Sequence, residues 1–242
     1  MIDIHCHVLP GIDDGCRDIP TSLEVLEKSW AQGIRHIIAT PHFYASRDRI
    51  DNFIQRRNAA STDLHGGSIE EFKVPRLFFG AEVAFFNGIS RAEGIEKLTV
   101  EGTNIFLLEM PTEDWQDTYT QEIRYLCQHR GMHVIIAHME RYMTRRNKRY
   151  IQEIIDMSRT MPVRVQINAG SVLDRRQARH IIKMFQKGEA HFLASDCHGL
   201  HRRPPNLAEG RAVLVQKLGP QFMKTMDDAG TAFLTNAGLE LK

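Results

Sequence analysis

The sequence lacks the features that mark secreted and membrane proteins. Its 242 residues include four cysteines, without a CxxC pair or a dense cysteine framework, which argues against a disulfide-stapled domain. The longest apolar runs, such as Val134-Ile135-Ile136-Ala137, are strand-sized and far below the roughly 20 residues of a membrane helix. The N-terminus has neither the basic region nor the apolar core of a signal peptide. We therefore expect a reduced, cytoplasmic protein without a membrane span.

An excess of charge of one sign is also missing. The chain has 31 Lys and Arg against 30 Asp and Glu, a formal net charge of +1. This balance excludes a disordered polyelectrolyte and argues against nucleic-acid binding through bulk charge. Because no low-complexity stretch or Pro/Ser-rich linker divides the chain, we expect one domain over residues 1–242.

What the sequence has is a repeated alternation of strand and helix patterns. Helical stripes of apolar residues, such as Ile181, Met184 and Phe185, lie between most strand-like segments, and a capping box at Thr21 and Glu24 predicts the start of the first helix. Such alternation predicts a parallel sheet, and seven units favour a distorted (β/α)7 TIM-like barrel over an open doubly wound sheet. The predicted strands are Ile2–His5, Arg35–Thr40, Leu77–Val83, Asn104–Met110, His133–His138, Val163–Asn168 and His191–Ser195.

Six of these seven apolar segments run into a histidine or an acidic residue. In a parallel barrel all the carboxyl ends of the strands lie on one face, where active sites of α/β barrels are found. Buried carboxylates and imidazoles gathered there need added positive charge, which divalent cations supply. Mixed His and carboxylate donors without thiolate favour Zn, Mn or Fe over Ca or Mg, and the number of donors suits two or three ions. The expected ligands are His5, His7, His42, Glu82, Glu109, His138, Asp196 and His198, with Asp13-Asp14 added from the loop after the first strand.

These motifs resemble the PHP (polymerase and histidinol phosphatase) superfamily, and within it the bacterial tyrosine-protein phosphatases of capsule and exopolysaccharide operons. The resemblance extends from Met1 to about Asn206. It implies a distorted (β/α)7 barrel, three divalent ions, usually manganese, and a phosphotyrosine protein as substrate, in particular a bacterial tyrosine autokinase. The motifs that carry it are MIDIHCHVLPGIDDG, GIRHIIATPHF, GAEV, LLEMP, IAHMERY, QINAGS and ASDCHG followed by RPPN.

The resemblance also implies which residues would hold each ion. The first would take His5, His7, Glu82 and Asp196; the second would take Glu82, Glu109 and His138; the third would take Asp14, His42 and His198. Glu82 would bridge two ions that activate a water for attack on phosphorus. Arg141 and Arg203 match the family's phosphate-binding arginines and would act in substrate binding and catalysis, because a guanidinium pairs two phosphate oxygens at once.

Aromatic and basic residues near these motifs suggest how the substrate could be selected. Phe43, Tyr44, Trp115 and Tyr142 follow ligand-bearing strands and could rim a slot for the phosphotyrosine ring, or they could pack within loops. The basic run 145–149 could attract an acidic tail of the substrate, or it could be ordinary helix surface.

Four alternative functions share some of these residues. Cys197 and Arg203 have the Cys-x5-Arg spacing of cysteine-dependent tyrosine phosphatases, but the residues between them lack the glycine-rich character of a phosphate loop. An amidohydrolase would carry a carboxylated lysine after a middle strand, where this chain has Glu109. A histidinol-phosphate phosphatase would use the same metals, and a non-catalytic PHP module would not need a complete set of ligands.

Overall fold

The alternation of strands and helices is present in the computed structural model, which describes residues 1–66 and 73–241. Every strand pair within these residues is parallel. The strands are β1 (Ile2–Cys6), β2 (His36–Ala39), β3 (His42–Phe43), β4 (Arg76–Phe79), β5 (Glu82–Ala84), β6 (Ile105–Glu109), β7 (His133–Ile136), β8 (Val163–Asn168) and β9 (Phe192–Ala194). The helices are α1 (Ile19–Ala31), α2 (Ile50–Gly66), α3 (Asp117–Arg130), α4 (Lys148–Met157), α5 (Ala169–Leu173), α6 (Ala178–Gln186), α7 (Leu207–Leu218) and α8 (Pro220–Asn236).

In the described part of the chain, the strands form two separate parallel sheets rather than one closed sheet. One has the order β1-β2-β4 and the other the order β3-β5-β6-β7-β8-β9. The two are joined at a single parallel bridge between Cys6 and Cys197, flanked by hydrogen bonds from the Asp196 amide to the His5 carbonyl and from the His7 amide to the Cys197 carbonyl. The predicted parallel α/β architecture is therefore confirmed.

The described residues contain nine strands, which corrects the predicted count of seven. The predicted strand 35–40 is present as β2 and ends before Pro41, which has no amide hydrogen to donate to a ladder; the chain then forms the additional strand β3 in the other sheet. The segment 77–83 breaks at Gly80, where the backbone runs against Val100: a Cβ on Gly80 would lie 3.0 Å from Val100 Cγ2. The chain thus leaves one sheet at β4 and enters the other at β5.

The first helix begins earlier than its capping box predicted. Asp18 is the N-cap of α1, and its carboxylate accepts a hydrogen bond from the Thr21 amide at 2.9 Å. The helix can start there because its first turn tolerates Pro20. The amide hydrogen that proline lacks would have no partner within the helix at this position. Thr21 is therefore inside the helix, and the prediction that it caps α1 was wrong.

Helix α8 covers the second of two hydrophobic clusters. Its Phe233 and Leu234 pack with residues of β1, β2, β6, β7 and β9, including Ile4, Ile38 and Ile135. The larger cluster lies between the strands and the other helices. No helix among the described residues combines the length and apolar character needed to cross a bilayer.

Candidate metal centre

The expected ligands come together at the ends and junctions of the strands. His5 lies in β1 and His7 follows it, Glu109 ends β6, His138 follows β7, and Asp196 and His198 follow β9. His42 and Glu82 differ from the expectation, because each opens a short strand instead of following a long one. They are direct partners in the β3–β5 register, which places the imidazole beside the carboxylate.

Three groups of these side chains have donor atoms close enough to share an ion. Within each group, one donor atom per residue lies within 4.8 Å of all the others. His138 lies beside the second group, with Nε2 2.7 Å from Glu82 Oε1 and 3.8 Å from Glu109 Oε1. The groups are His5, His7, Glu82 and Asp196; His42, Glu82 and Glu109; and His7, Asp14, His42 and His198. All nine residues of the predicted set therefore lie in or beside one cluster.

Glu82 is the centre of this cluster and is fully buried. Its Oε2 lies 3.2 Å from His5 Nε2, 3.1 Å from His7 Nε2 and 3.0 Å from His42 Nδ1. Burial opposes ionisation of Glu82, yet the charge of His5 and the charge and hydrogen bond of His138 hold its pKa well below the usual value. The carboxylate therefore stays ionised in the interior, where it needs cationic partners.

Several buried donor atoms in the cluster lie close together without forming a well-aligned hydrogen bond. Among the described residues, Glu82 Oε2 and His42 Nδ1 are 3.0 Å apart, and His198 Nε2 lies 3.4 Å from Asp14 Oδ1. Buried polar atoms in native proteins almost always have hydrogen-bond partners. Because these atoms are of the types that bind Zn, Mn or Fe and lie close together, the donor set fits divalent ions.

Repulsion between the carboxylates of the cluster also indicates a site for cations. Burial and the nearby charge of Glu82 raise the pKa of Glu109 to about 7. In contrast, the pKa of His7 rises to about 10 although burial opposes it, because Asp13 and Glu82 stabilise the imidazolium. A bound cation would replace these protons and relieve the strain between like charges.

Three residues outside the nine ligands that the resemblance implies orient the imidazoles. Asp13 Oδ2 lies 2.7 Å from His7 Nδ1 and also accepts a hydrogen bond from the His42 amide. Gln166 Oε1 lies 3.1 Å from His5 Nδ1 and accepts a hydrogen bond from the His138 amide at 2.8 Å. The Tyr142 hydroxyl lies 2.9 Å from His138 Nδ1. Such partners fix the ring orientation and tautomer of metal-binding histidines.

The backbone is strained at two of the expected ligands. His138 has φ 29° and Asp196 has φ 50°, although neither is glycine. Residues held in this region cost of order 1–3 kcal/mol each and are typical of functional sites. At Asp196 the strained backbone is held by the hydrogen bond from its amide to the His5 carbonyl.

Arg141 and Arg203 both lie at the edge of the cluster and contact Asp196. Arg141 Nη2 donates to Asp196 Oδ2, and Arg203 Nη1 donates to the same oxygen at 3.1 Å. Arg203 Nη2 also reaches Asp14 Oδ2 at 3.3 Å. Each arginine side chain is about one-third exposed, at 36% and 32%, so both can still contact a ligand from solvent.

For three of the four aromatic residues, the structure supports packing within the protein and excludes the open slot. Phe43, Trp115 and Tyr142 are buried and cannot rim an open slot. Phe43 packs on Phe53, because its side chain belongs to the core beneath β3. Only Tyr44 of the four is partly exposed, with its ring centroid 5.2 Å from that of His42.

The cysteines and the basic run take no part in the cluster. All four cysteines are buried and free, and Cys197 Sγ contacts the Gly199 carbonyl oxygen at 3.4 Å. A fully buried Cys197 does not present a nucleophile to a substrate, which agrees with reading its spacing from Arg203 as coincidence. In the basic run, Arg146 and Arg149 are paired with Asp114 and Asp117.

Comparison with known proteins identifies the family. Residues 1–234 match the family described as "Capsular polysaccharide synthesis, CpsB/CapC". The chain belongs to this family. The chain is similar to the tyrosine-protein phosphatase CpsB of Streptococcus agalactiae serotype III, with 29% identity over 100% of this chain and 98% of that protein. It is also 31% identical to the putative tyrosine-protein phosphatase CapC of Staphylococcus aureus, over 84% of this chain and 79% of that protein.

A solved structure of the CpsB/CapC type has the same fold. It comes from a study of YwqE from Bacillus subtilis and CpsB from Streptococcus pneumoniae, described there as metal-dependent tyrosine phosphatases. It superposes with a TM-score of 0.84 at 26% identity, covering 99% of this chain and 96% of that one. The predicted resemblance to capsule-operon tyrosine phosphatases is therefore confirmed.

Proposed function

We propose that this chain is a metal-dependent protein-tyrosine phosphatase that hydrolyses the phosphomonoester of phosphotyrosine with water. The observation that carries the proposal is the cluster around Glu82, whose closely spaced buried donor atoms adjoin two partly exposed arginines. Its family and the names of its relatives support the same activity.

We propose that the centre holds three divalent ions, manganese in the cell. The first would be bound by His5, His7, Glu82 and Asp196, which are within reach of one another. The second would use Glu82, Glu109 and His138, and the third would use Asp14, His42 and His198. When bound, such ions polarise phosphoryl oxygens and lower the pKa of water towards neutrality.

The protein's own residues would bind and orient the phosphate. Arg141 and Arg203 would turn part of their hydrogen bonding from Asp196 to two phosphoryl oxygens, and so offset the charge that develops on them. Glu82, buried and ionised, would fix the spacing of the centre. The leaving phenolate has a pKa near 10, so a general acid is not required.

We further propose the context of this activity. The strands would form a distorted (β/α)7 barrel in one domain over residues 1–242, and the hydrogen bonds between β1 and the chain after β9 support this arrangement. The protein would act in the cytoplasm on the phosphotyrosines of a bacterial tyrosine autokinase in capsule or exopolysaccharide synthesis. The family description supports the capsule context.

A comparison of substrates tests the proposed function. Purified, manganese-loaded protein should hydrolyse a phosphotyrosine peptide with a higher kcat/KM than histidinol phosphate. A chelator should abolish the activity, and added manganese should restore it. A higher kcat/KM for histidinol phosphate would favour a small-molecule phosphatase, and full activity after verified removal of metal would refute the metal-dependent mechanism.

A further inference from the structure

An aromatic cleft opens beside the candidate metal centre, and none of its aromatic side chains belongs to the expected ligand set. It has a volume of about 420 Å³, near the lower end of the range for small-molecule sites. Its wall has both polar and apolar parts, and four half-buried aromatic side chains contribute to it: Tyr44, Phe85, Phe86 and Tyr119. Half-buried rings of this kind can still be covered by a ligand.

The cleft is continuous with the second group of candidate ligands. Its lining residues come directly after that group in the chain: Tyr44 follows His42 by two residues, and Phe85 follows Glu82 by three. Glu109 itself is part of the wall. The Phe85 amide donates to the Glu109 carbonyl at 2.8 Å, which fixes the wall to the centre. A group bound in the cleft therefore lies next to a phosphate held over His42, Glu82 and Glu109.

The rings are arranged for contact with another aromatic group. The centroids of Phe85 and Tyr119 are 4.4 Å apart at an interplanar angle of 42°, close to the lower end of the range for favourable aromatic pairs. The Glu109 carboxylate at the edge of the cleft also suits an aromatic ligand, because the rim of an aromatic ring is electropositive.

A second cleft on the other side of Tyr44 is a poorer match for a ring. It is lined by charged side chains, among them Asp14, Arg47, Asp48 and Arg56, while its Phe43 and Phe53 are buried in the core. Desolvating these charges against an apolar ring would be costly. The aromatic cleft is the better partner for a phenyl group.

We propose that this aromatic cleft binds the phenyl ring of the substrate phosphotyrosine, and that Phe85 and Tyr119 determine the preference for aryl over alkyl phosphates. The inference rests on the proposed function. Neither Phe85 nor Tyr119 is a predicted metal ligand or phosphate-binding residue, so their contribution is separable from the chemistry.

Two non-hydrolysable inhibitors that share one anionic head group provide the test. Phenylphosphonate and methylphosphonate differ only in the ring, so the ratio of their inhibition constants on the manganese-loaded enzyme measures ring binding. Wild type should prefer phenylphosphonate. Phe85→Ala and Tyr119→Ala should each lower this preference by about 3- to 10-fold, as expected for loss of an aromatic contact. Inhibition by methylphosphonate should stay unchanged.

Tyr125→Ala is the matched control. Tyr125 is a half-buried tyrosine on the same helix α3, but it stacks on His129 and lies outside the cleft. It should keep the wild-type preference. Tyr119→Leu replaces Tyr119→Ala if thermal melting shows that the alanine variant is unfolded.

The outcomes separate this inference from the proposed function. If wild type hydrolyses phosphotyrosine but the cleft variants keep the full ring preference, or if only Arg47→Ala lowers it, the cleft assignment is overturned and the function stands. If wild type does not hydrolyse phosphotyrosine yet the variants lower phenylphosphonate binding as expected, the cleft binds an aryl group, but the proposed function is refuted.

Discussion

The Tyr142 hydroxyl lies 2.9 Å from Nδ1 of His138 and holds the imidazole whose Nε2 is 2.7 Å from Glu82. The Met110 amide donates to the same hydroxyl oxygen at 3.1 Å, so the tyrosine is itself fixed. Tyr142 is buried, and its ring therefore cannot move away without opening the core. The geometry makes it a positioning residue for His138, rather than part of a substrate slot.

Replacement of this tyrosine should weaken metal binding. Tyr142→Phe keeps the ring but removes the partner of His138 Nδ1, and loss of such a partner costs roughly 10–100-fold in metal affinity or activity. Manganese titration followed by turnover of an aryl phosphate would measure both effects. Tyr150→Phe, which removes a hydroxyl that pairs with Arg149 at the surface, should change neither. Wild-type manganese affinity in Tyr142→Phe would contradict the positioning role.

The two arginines on Asp196 should affect turnover more than metal content. Arg203→Ala should lower kcat by roughly 10²–10³-fold, the range seen when one oxyanion donor is lost. Bound manganese, measured by elemental analysis, should stay at the wild-type level. The exposed neighbour Arg202 is the control, since Arg202→Ala removes a similar charge without a contact to Asp196. Loss of metal in proportion to activity would show that Arg203 serves only to hold Asp196.

The site was more predictable from sequence than the residues that support it. The apolar runs predicted parallel strands, and parallel strands bring their carboxyl ends together. Eight of the nine expected side chains therefore lie in groups of neighbouring donor atoms, and His138 lies beside them. The residues that orient these ligands are placed by packing between segments that are distant in the sequence. Gln166 reaches His138 across 28 residues, and only its place in the polar end of β8 could have drawn attention to it.

The two additional strands had signals in the sequence that hydrophobic periodicity alone did not use. Pro41 separates β3 from the predicted strand 35–40 because it lacks an amide donor, and Gly80 interrupts the predicted strand 77–83 where the chain lies close to Val100. Of the four aromatic residues in the cleft, the predicted slot included only Tyr44. Phe85 and Phe86 follow the predicted strand Leu77–Val83 and are not part of a recognised motif. Tyr119 reads as an ordinary helix residue, and only the fold brings it to Phe85.

Cys197 should be dispensable for catalysis. Cys197→Ser keeps the size of a fully buried side chain and should retain most of the aryl phosphatase activity, because the attacking group in the proposed mechanism is water. Asp196→Ala, one residue earlier, should abolish turnover and reduce bound metal. Parallel assays of activity and manganese content would distinguish the two. An inactive Cys197→Ser protein with full metal content would instead favour a cysteine nucleophile.

The free energy of unfolding should decrease at acidic pH, partly because His191, which is remote from the candidate metal centre, becomes protonated. Burial, with a contribution from the charge of Arg164, lowers the pKa of His191 to about 4. Its Nδ1 accepts a hydrogen bond from the Val165 amide at 3.1 Å, which only the neutral ring can do. An unfolded histidine titrates near 6.5, so the folded state favours the neutral form. The stabilisation that the neutral His191 gives to the folded state is complete above pH 6.5 and is lost as the pH falls towards 4.

Urea unfolding of metal-free wild type and His191→Gln between pH 7.5 and 4 would measure this effect. Glutamine can accept the same hydrogen bond without titrating, so the variant should gain on the order of 2 kcal/mol relative to wild type as the pH falls through this window. His180→Gln, which changes an exposed histidine on α6, should show no such gain. A difference between His191→Gln and wild type that stays constant with pH would mean that His191 is not the group that titrates.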